Sequence, residues 1–369
     1  MRIEQIEIRE LAMPLVVPFE TSFGREDVRQ TIVVAARSEG LVGWGEAATS
    51  AGPWYEYETV ETCWHVLVEF MAPLILGQEI AEPLACAAML APVRGHHLAK
   101  MGLESAIWDL LGQSENRSVA QMLGGSRERV AVGVSVGIQD SVPSLLDCIG
   151  EYWETGYRRI KIKIRPGWDV QVVSQVRERF GDIPLMADAN SAYTLRDAGV
   201  LAALDGYELM MIEQPLAYDD LLDHADLQRQ LRTPTCLDES ISSLAAARAG
   251  LRLGSCRIIN IKPGRVGGLT AAKAIHDLCR QQGVPVWCGG MLETGIGRAH
   301  NVALASLPGF TLPGDISASS RYFHQDVVDP QFDINSDSTI TVPTGPGIGV
   351  KVLVDRLDAV TRRRVVIER

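Results

Sequence analysis

Five charged residues recur along the chain at nearly constant spacing. Lys163, Asp188, Glu213 and Asp238 are each 25 residues apart, and Lys262 follows Asp238 by 24. That interval is the length of one strand–helix unit. A closed barrel would set all five side chains around its C-terminal rim, where barrel enzymes keep their chemistry. Three carboxylates converging on one point repel one another unless a cation sits among them. Hard oxygen donors with room for water suit Mg2+, with Mn2+ as a substitute. The plainer reading, acids capping helix N-termini, needs neither equal spacing nor two flanking lysines.

Lys161 and Lys163 form a K-x-K on one strand and point to the same side. They lie opposite Ile160, Ile162 and Ile164, and so face the barrel axis. Two ammonium groups side by side disfavour each other's charge, which predicts lowered lysine pKa values near the operating pH. Lys262, three strands further round, approaches from the other side of the mouth. A lysine on each face of a metal-bound carboxylate suits taking an α-proton from one side and returning it from the other.

The elements that must position these residues follow from periodicity. Thr31–Ala36 and Val42–Ala47 read as strands joined through Ser38-Glu39-Gly40-Leu41, a hairpin with glycine in the turn. Leu103, Ile107, Leu110 and Leu111 mark one apolar helix face, and Gly124-Gly125 marks a helix stop and boundary. From about Val130 the texture becomes βαβα. Strands are expected at Arg159–Ile164, Leu185–Asp188, Leu209–Glu213, Thr235–Asp238, Arg257–Lys262 and Val284–Cys288. Helices are expected at Trp168–Phe180, with Val170, Val173 and Phe180 inward, and at Leu269–Gln282. Such alternation implies a parallel sheet. The last 50 or so residues, with the loop Pro343–Gly349, are expected to pack back on the first part.

Composition excludes other classes. Acids outnumber bases 46 to 35 in 369 residues, a net charge of −11 that suits no nucleic acid. The seven cysteines, at 63, 86, 148, 236, 256, 279 and 288, contain no CxxC pair, which predicts reduced thiols. No stretch approaches the roughly 20 apolar residues of a membrane helix, and the N-terminus lacks a hydrophobic signal core. The expectation is a cytoplasmic protein with a small-molecule carboxylate substrate, no nucleic-acid or membrane partner, and homo-oligomeric assembly.

Ordered motifs carry a resemblance. K-I-K (161–163), D-A-N (188–190), I-E-Q-P (212–215), L-D-E-S (237–240) and N-I-K-P (260–263) resemble the signature of the enolase superfamily, in its muconate-lactonizing subgroup. Together with P-F-E-T-S-F-G (18–24), G-V-S-V-G-I (133–138), G-G-M-L-E-T-G-I-G-R-A-H-N (289–301) and L-P-G-D-I-S (312–317), they make the chain similar to the o-succinylbenzoate synthase / N-succinylamino-acid racemase family. The resemblance implies an α/β fold: a modified TIM barrel, (β/α)7β, under an α+β capping domain. The implied division is residues 1–125 for the cap, 126–318 for the barrel and 319–369 for a tail completing the cap. It further implies Mg2+ on Asp188, Glu213 and Asp238, with Lys163 and Lys262 as acid/base groups assisted by Lys161. The metal would stabilise an enediolate.

Several reactions share this machinery. A dipeptide epimerase would show D-x-D where Gly314-Asp315-Ile316-Ser317 stands, and a mandelate-racemase-like enzyme would place a histidine near Cys288–Leu292. Muconate cycloisomerase, with the same two lysines, stays open. The family resemblance favours o-succinylbenzoate synthesis, a dehydration in menaquinone biosynthesis, or N-succinylamino-acid racemisation, or both. It places substrate contacts at Phe19, Phe23, Ser135, Lys161, Asn190, Gly290, Met291 and Leu292, with the loop Ser50–Tyr57 alongside. Arg265, three residues after Lys262, is expected to contact substrate or tune that lysine. Two rivals are a catalytically silent metal-binding protein, which would have lost a lysine or ligand, and a dinucleotide-dependent oxidoreductase, which would need a G-x-G-x-x-G absent here.

Overall fold

A computed structural model describes residues 1–21 and 24–368 of the chain. Strands β1 (Gln5–Thr21), β2 (Gly24–Ser38) and β3 (Leu41–Ala47) pair antiparallel in sequence order. Ser38 pairs with Leu41, leaving Glu39 and Gly40 as a two-residue turn with φ of 52° and 81°. Positive φ at both positions is what a right-twisted hairpin demands, and glycine meets it without a Cβ clash.

The helix His97–Ser114 lies directly on β3. A Cβ on Gly43 would fall 2.1 Å from the Ala106 carbonyl oxygen, so only glycine lets the two backbones meet. The helix is buried on nearly every side rather than on one face. Its Leu103, Ile107, Leu110 and Leu111 pack into the cap core, while Met101 and Trp108 pack into the barrel-side core. Sandwiched in this way, it needs no polar face.

β4 (Arg129–Ala131) leads into seven parallel strands whose spatial order is their chain order. They are β5 (Val134–Val136), β6 (Ile160–Lys163), β7 (Leu185–Asp188), β8 (Ile212–Glu213), β9 (Thr235–Leu237), β10 (Ile258–Ile261) and β11 (Val286–Cys288). The eighth position is a bridge-like segment. Gly314 N–H donates to the Ala131 carbonyl on one side, and Asp315 N–H to the Cys288 carbonyl on the other. The sheet thereby closes as (β/α)7β, with strands shorter than their apolar runs suggest.

Ile160, Ile162 and Ile164 point outward into the helix layer and are fully buried there, each stabilising the fold by about 2 kcal/mol. In the helix Val170–Phe180 the buried residues are Val172, Val173 and Val176. Val170 and Phe180, expected inward, are only half-buried, as the first and last residues of the helix. Beneath the barrel mouth Met186, Met211, Cys236, Ile258 and Trp287 form a separate apolar plug.

The tail returns through β12 (Val328–Asp329), β13 (Thr339–Thr341) and β14 (Lys351–Val352) to β15 (Thr361–Glu368), which pairs antiparallel with β1. The Pro343–Gly349 loop is pinned by Asp109. Its Oδ1 accepts the Ile348 N–H at 2.8 Å while its Oδ2 accepts the Trp44 N–H at 2.7 Å. One carboxylate thus ties the tail, the central helix and β3 together.

Candidate active site

Lys161 and Lys163 are the second and last residues of β6, and their alternate positions turn both inward. Lys163 pairs with Asp188 across to β7, and Asp188 with Glu213 across to β8. Asp238 and Lys262 stand one residue beyond β9 and β10. The parallel register therefore carries each charge to the same rim. Three strands, β7, β8 and β9, lie between the two lysines, so Lys262 is four strands on from Lys163 rather than three. In a barrel closed by eight segments that is diametrically opposite.

The charges interlock. Lys163 Nζ donates to Asp188 Oδ2 at 2.6 Å and to Asn190 Oδ1 at 2.5 Å. Lys161 Nζ lies 2.5 Å from Asp315 Oδ2, 2.9 Å from Glu213 Oε2 and 3.1 Å from Asp188 Oδ2. Lys262 Nζ donates to Asp238 Oδ2 at 2.8 Å and to the Tyr55 hydroxyl at 2.6 Å. Asn260 Nδ2 donates to Glu213 Oε1 at 2.8 Å. Gln214 accepts the Asp238 N–H at 3.0 Å, holding the β8 and β9 rims together.

These neighbours set the proton affinities. Burial disfavours the charged form of Lys161, but Asp315, Glu213 and Asp188 outweigh it and hold its ammonium well above the ordinary lysine value. The expected lowering of that lysine by a neighbouring ammonium is therefore overturned: three carboxylates lie within 3.1 Å of it. Lys262 is likewise raised, burial being outweighed by Asp238, with Arg265 opposing. Burial, then the charge of Asp188, pushes Glu213 up to about 8. Asp188 is held far below the usual range, Lys163 and Lys161 overcoming the cost of its burial.

Above this floor opens a cavity of about 420 Å³ between cap and barrel. Lys161, Lys163, Lys262, Asn190, Ser135, Gly290, Met291 and Leu292 line it from the barrel, and Phe19, Trp54 and Tyr55 from the cap. Phe23 lies outside the described residues. Asp188, Glu213 and Asp238 sit beneath that lining, fully buried. Among the described residues no three acidic, imidazole or thiol groups stand in ligating geometry around one point. Lysine ammonium groups lie on the acidic oxygens.

Arg265 is not a wall of the cavity. It stands fully buried behind Asp238, donating to Asp238 Oδ1, the Ile241 carbonyl and the Asn260 carbonyl. Its contacts are with that acid and with backbone carbonyls, and the short helix Pro263–Val266 fixes the placement. His97 starts the central helix and His300 contacts the Trp44 carbonyl oxygen, neither with a metal-ligating partner among the described residues.

Four contributors were not identified from sequence. Tyr55 hangs from a cap loop, and its hydroxyl donates to Asp238 Oδ2 at 3.0 Å. Asp315 and Arg159 form an ion pair at 2.6 Å at the barrel seam. Glu239 is pushed up to about 8 by burial and by Asp238 beside it. For Glu239 the signal was present, as the second acid of L-D-E-S. The other three lie outside the 25-residue phasing.

Residues 145–356 match the model of the enolase C-terminal domain-like family, and residues 3–124 match that of the mandelate racemase / muconate lactonizing enzyme N-terminal domain. The chain is 53% identical to the o-succinylbenzoate synthase of Geobacillus kaustophilus over 95% of its own length and 93% of the relative's. It is 50% identical to the N-succinylamino acid racemase of an Amycolatopsis species over 99% of both. A crystal structure of an enolase-superfamily member from Listeria innocua superposes with a TM-score of 0.96 at 41% identity, covering 100% of this chain and 99% of that one. Among the described residues no helix is long and apolar enough to cross a membrane.

Proposed function

The chain is an enzyme of the enolase superfamily, and on that premise we propose that it removes the proton α to a carboxylate in two related reactions. One is dehydration of 2-succinyl-6-hydroxy-2,4-cyclohexadiene-1-carboxylate to o-succinylbenzoate; the other is racemisation of N-succinylamino acids. The observation that carries this reading is the placement of Lys163 and Lys262 on diametric strands bordering one cavity. The two relatives named above bear the names of these two activities, and the chain aligns with them almost end to end.

In this reading Asp188, Glu213 and Asp238 hold Mg2+, which Mn2+ can replace. The donor set fits such an ion. It offers three buried carboxylates with hard oxygens at the ends of three neighbouring strands. Bound there, the ion would neutralise charge growing on the substrate carboxylate. The chain's own residues do the rest. Lys163 takes the α-proton from one face, the electron pair delocalises into the carboxylate, and Lys262 delivers a proton on the other face. For dehydration Lys163 alone suffices, as base to the α-carbon and then as acid to the departing hydroxide. Lys262 holds its proton tightly while Asp238 faces it; with Asp238 committed to a cation, that counter-charge is withdrawn.

Ser135, Asn190, Gly290, Met291, Leu292 and Phe19 would shape the substrate pocket, with residues 1–125 and 319–369 as the cap over a barrel of 126–318. The seven unpaired cysteines suit a reducing, cytoplasmic compartment. Side-by-side kcat/KM on the cyclohexadiene carboxylate and on an N-succinylamino acid tests the reading. Turnover of neither would contradict it.

A further inference from the structure

We propose that Arg159 and Asp315 form a buried counter-ion that positions Lys161, drawing its ammonium away from the acids that hold the metal. The inference rests on the reading of Asp188 and Glu213 as metal ligands, and it assigns Arg159 and Asp315 as positioning residues.

Of the three carboxylates around Lys161, Asp315 is the nearest, at 2.5 Å against 2.9 Å for Glu213 and 3.1 Å for Asp188. It is also the one with no proposed metal role. Asp315 comes from the segment that closes the barrel, and it is itself fixed. Arg159 Nη2 lies 2.6 Å from its Oδ1 and donates to the carbonyls of Pro313 at 3.0 Å and Gly314 at 2.7 Å. Arg159, Lys161 and Lys163 occupy alternate positions on one strand path, so their three cations descend the barrel interior in layers. Arg159 and Lys161 both lie over the ring of Trp287, at 5.6 Å and 5.1 Å. Room for the guanidinium comes from Gly133, where a Cβ would fall 2.4 Å from Arg159 Nε. Side chains from both sides of the seam thus hold one carboxylate, that of Asp315, rigidly beside Lys161.

An ammonium shared among three carboxylates rests where their attractions balance. Without Asp315, Lys161 is left on Glu213 and Asp188 and competes with a divalent cation for the same oxygens. Arg159 matters because it holds Asp315 in reach, at no cost in net charge for the pair.

The test is the charge-neutral double variant Arg159→Met with Asp315→Asn, which leaves no buried ion unpaired. Mn2+ affinity is measured directly, without substrate, by the electron paramagnetic resonance of free Mn2+. The dissociation constant should rise at least tenfold over wild type. Adding Lys161→Met should return it to within threefold of the Lys161→Met single variant, because the competitor is gone. An unchanged constant in the double variant, or a loss that persists with Met at 161, overturns the positioning. Should the double variant not fold, Asp315→Asn alone removes the anion while Arg159 keeps its bonds to the Pro313 and Gly314 carbonyls. This single variant should weaken Mn2+ at least threefold, and no change overturns the proposal equally. Wild-type protein that binds no Mn2+ would instead remove the metal site itself, and the inference with it.

Discussion

Lys163 and Lys262 face one cavity from diametric points of the barrel, and each is anchored on a different acid. Lys163 holds Asp188 at 2.6 Å, and Lys262 holds Asp238 at 2.8 Å. The α-carbon of a substrate lying between them would meet a proton carrier on either face. That relationship decides what each variant should do.

Lys163→Ala should abolish both dehydration and racemisation, a loss on the order of 10^3-fold or more for a general base. Lys262→Ala should abolish racemisation, while any dehydration left reflects a lost charge rather than a lost proton carrier. The sharper measurement is α-proton exchange in D2O with separate enantiomers of an N-succinylamino acid. Each Lys→Arg variant should exchange one enantiomer without inverting it, and the two variants should favour opposite enantiomers. Exchange of the same enantiomer by both would show that the lysines do not act on opposite faces.

Asp238→Asn should remove divalent-metal dependence and activity together while leaving the circular dichroism spectrum unchanged. The carboxylate is fully buried and its negative charge faces Lys262 and Arg265, so some loss of melting temperature accompanies the change. Wild-type activity that survives excess chelator would contradict the metal role.

N-succinylamino acids should be turned over at least tenfold better, by kcat/KM, than dipeptides with a free ammonium such as Ala-Glu. Asp315 stands in the Gly314–Ser317 segment, where a dipeptide epimerase would carry D-x-D, and it is engaged by Lys161 and Arg159. Its carboxyl is held down at about 2, where Arg159 and Lys161 outweigh its burial. Comparable rates on the two substrate classes would count against this assignment.

Asp109 predicts a pH dependence of stability. Burial raises its carboxyl from 3.8 to about 6, against the N–H groups that bond to it. A folded-state pKa above the unfolded one means that folding favours the protonated form. The associated stability is complete below about pH 4 and is lost as pH rises through about 6, a change of about 3 kcal/mol. Between these limits the stability gap between wild type and Asp109→Asn should move by that amount in favour of the Asn variant. Urea denaturation across the range measures it, and a constant gap would refute the assignment.

The sequence by itself determined the parts that repeat. A strand–helix unit of constant length imposes constant spacing, so Lys163, Asp188, Glu213, Asp238 and Lys262 were legible as one ring. The inward phase of Lys161 and Lys163 was legible against their alternating isoleucines, and Glu39-Gly40 was legible as a turn because only certain residues tolerate positive φ. The tertiary structure alone decided the parts that occur once. Tyr55 reaches Asp238 across 183 residues of chain, through docking of the cap loop over the barrel. Arg159 meets Asp315 only where the barrel closes, at a segment too short to show a period. Arg265 could be counted three residues from Lys262, but not seen to face Asp238 instead of the cavity. The proton affinity of Lys161 also reversed its expected direction, because a charge responds to every neighbour in space. Local spacing reports only the neighbours along the chain.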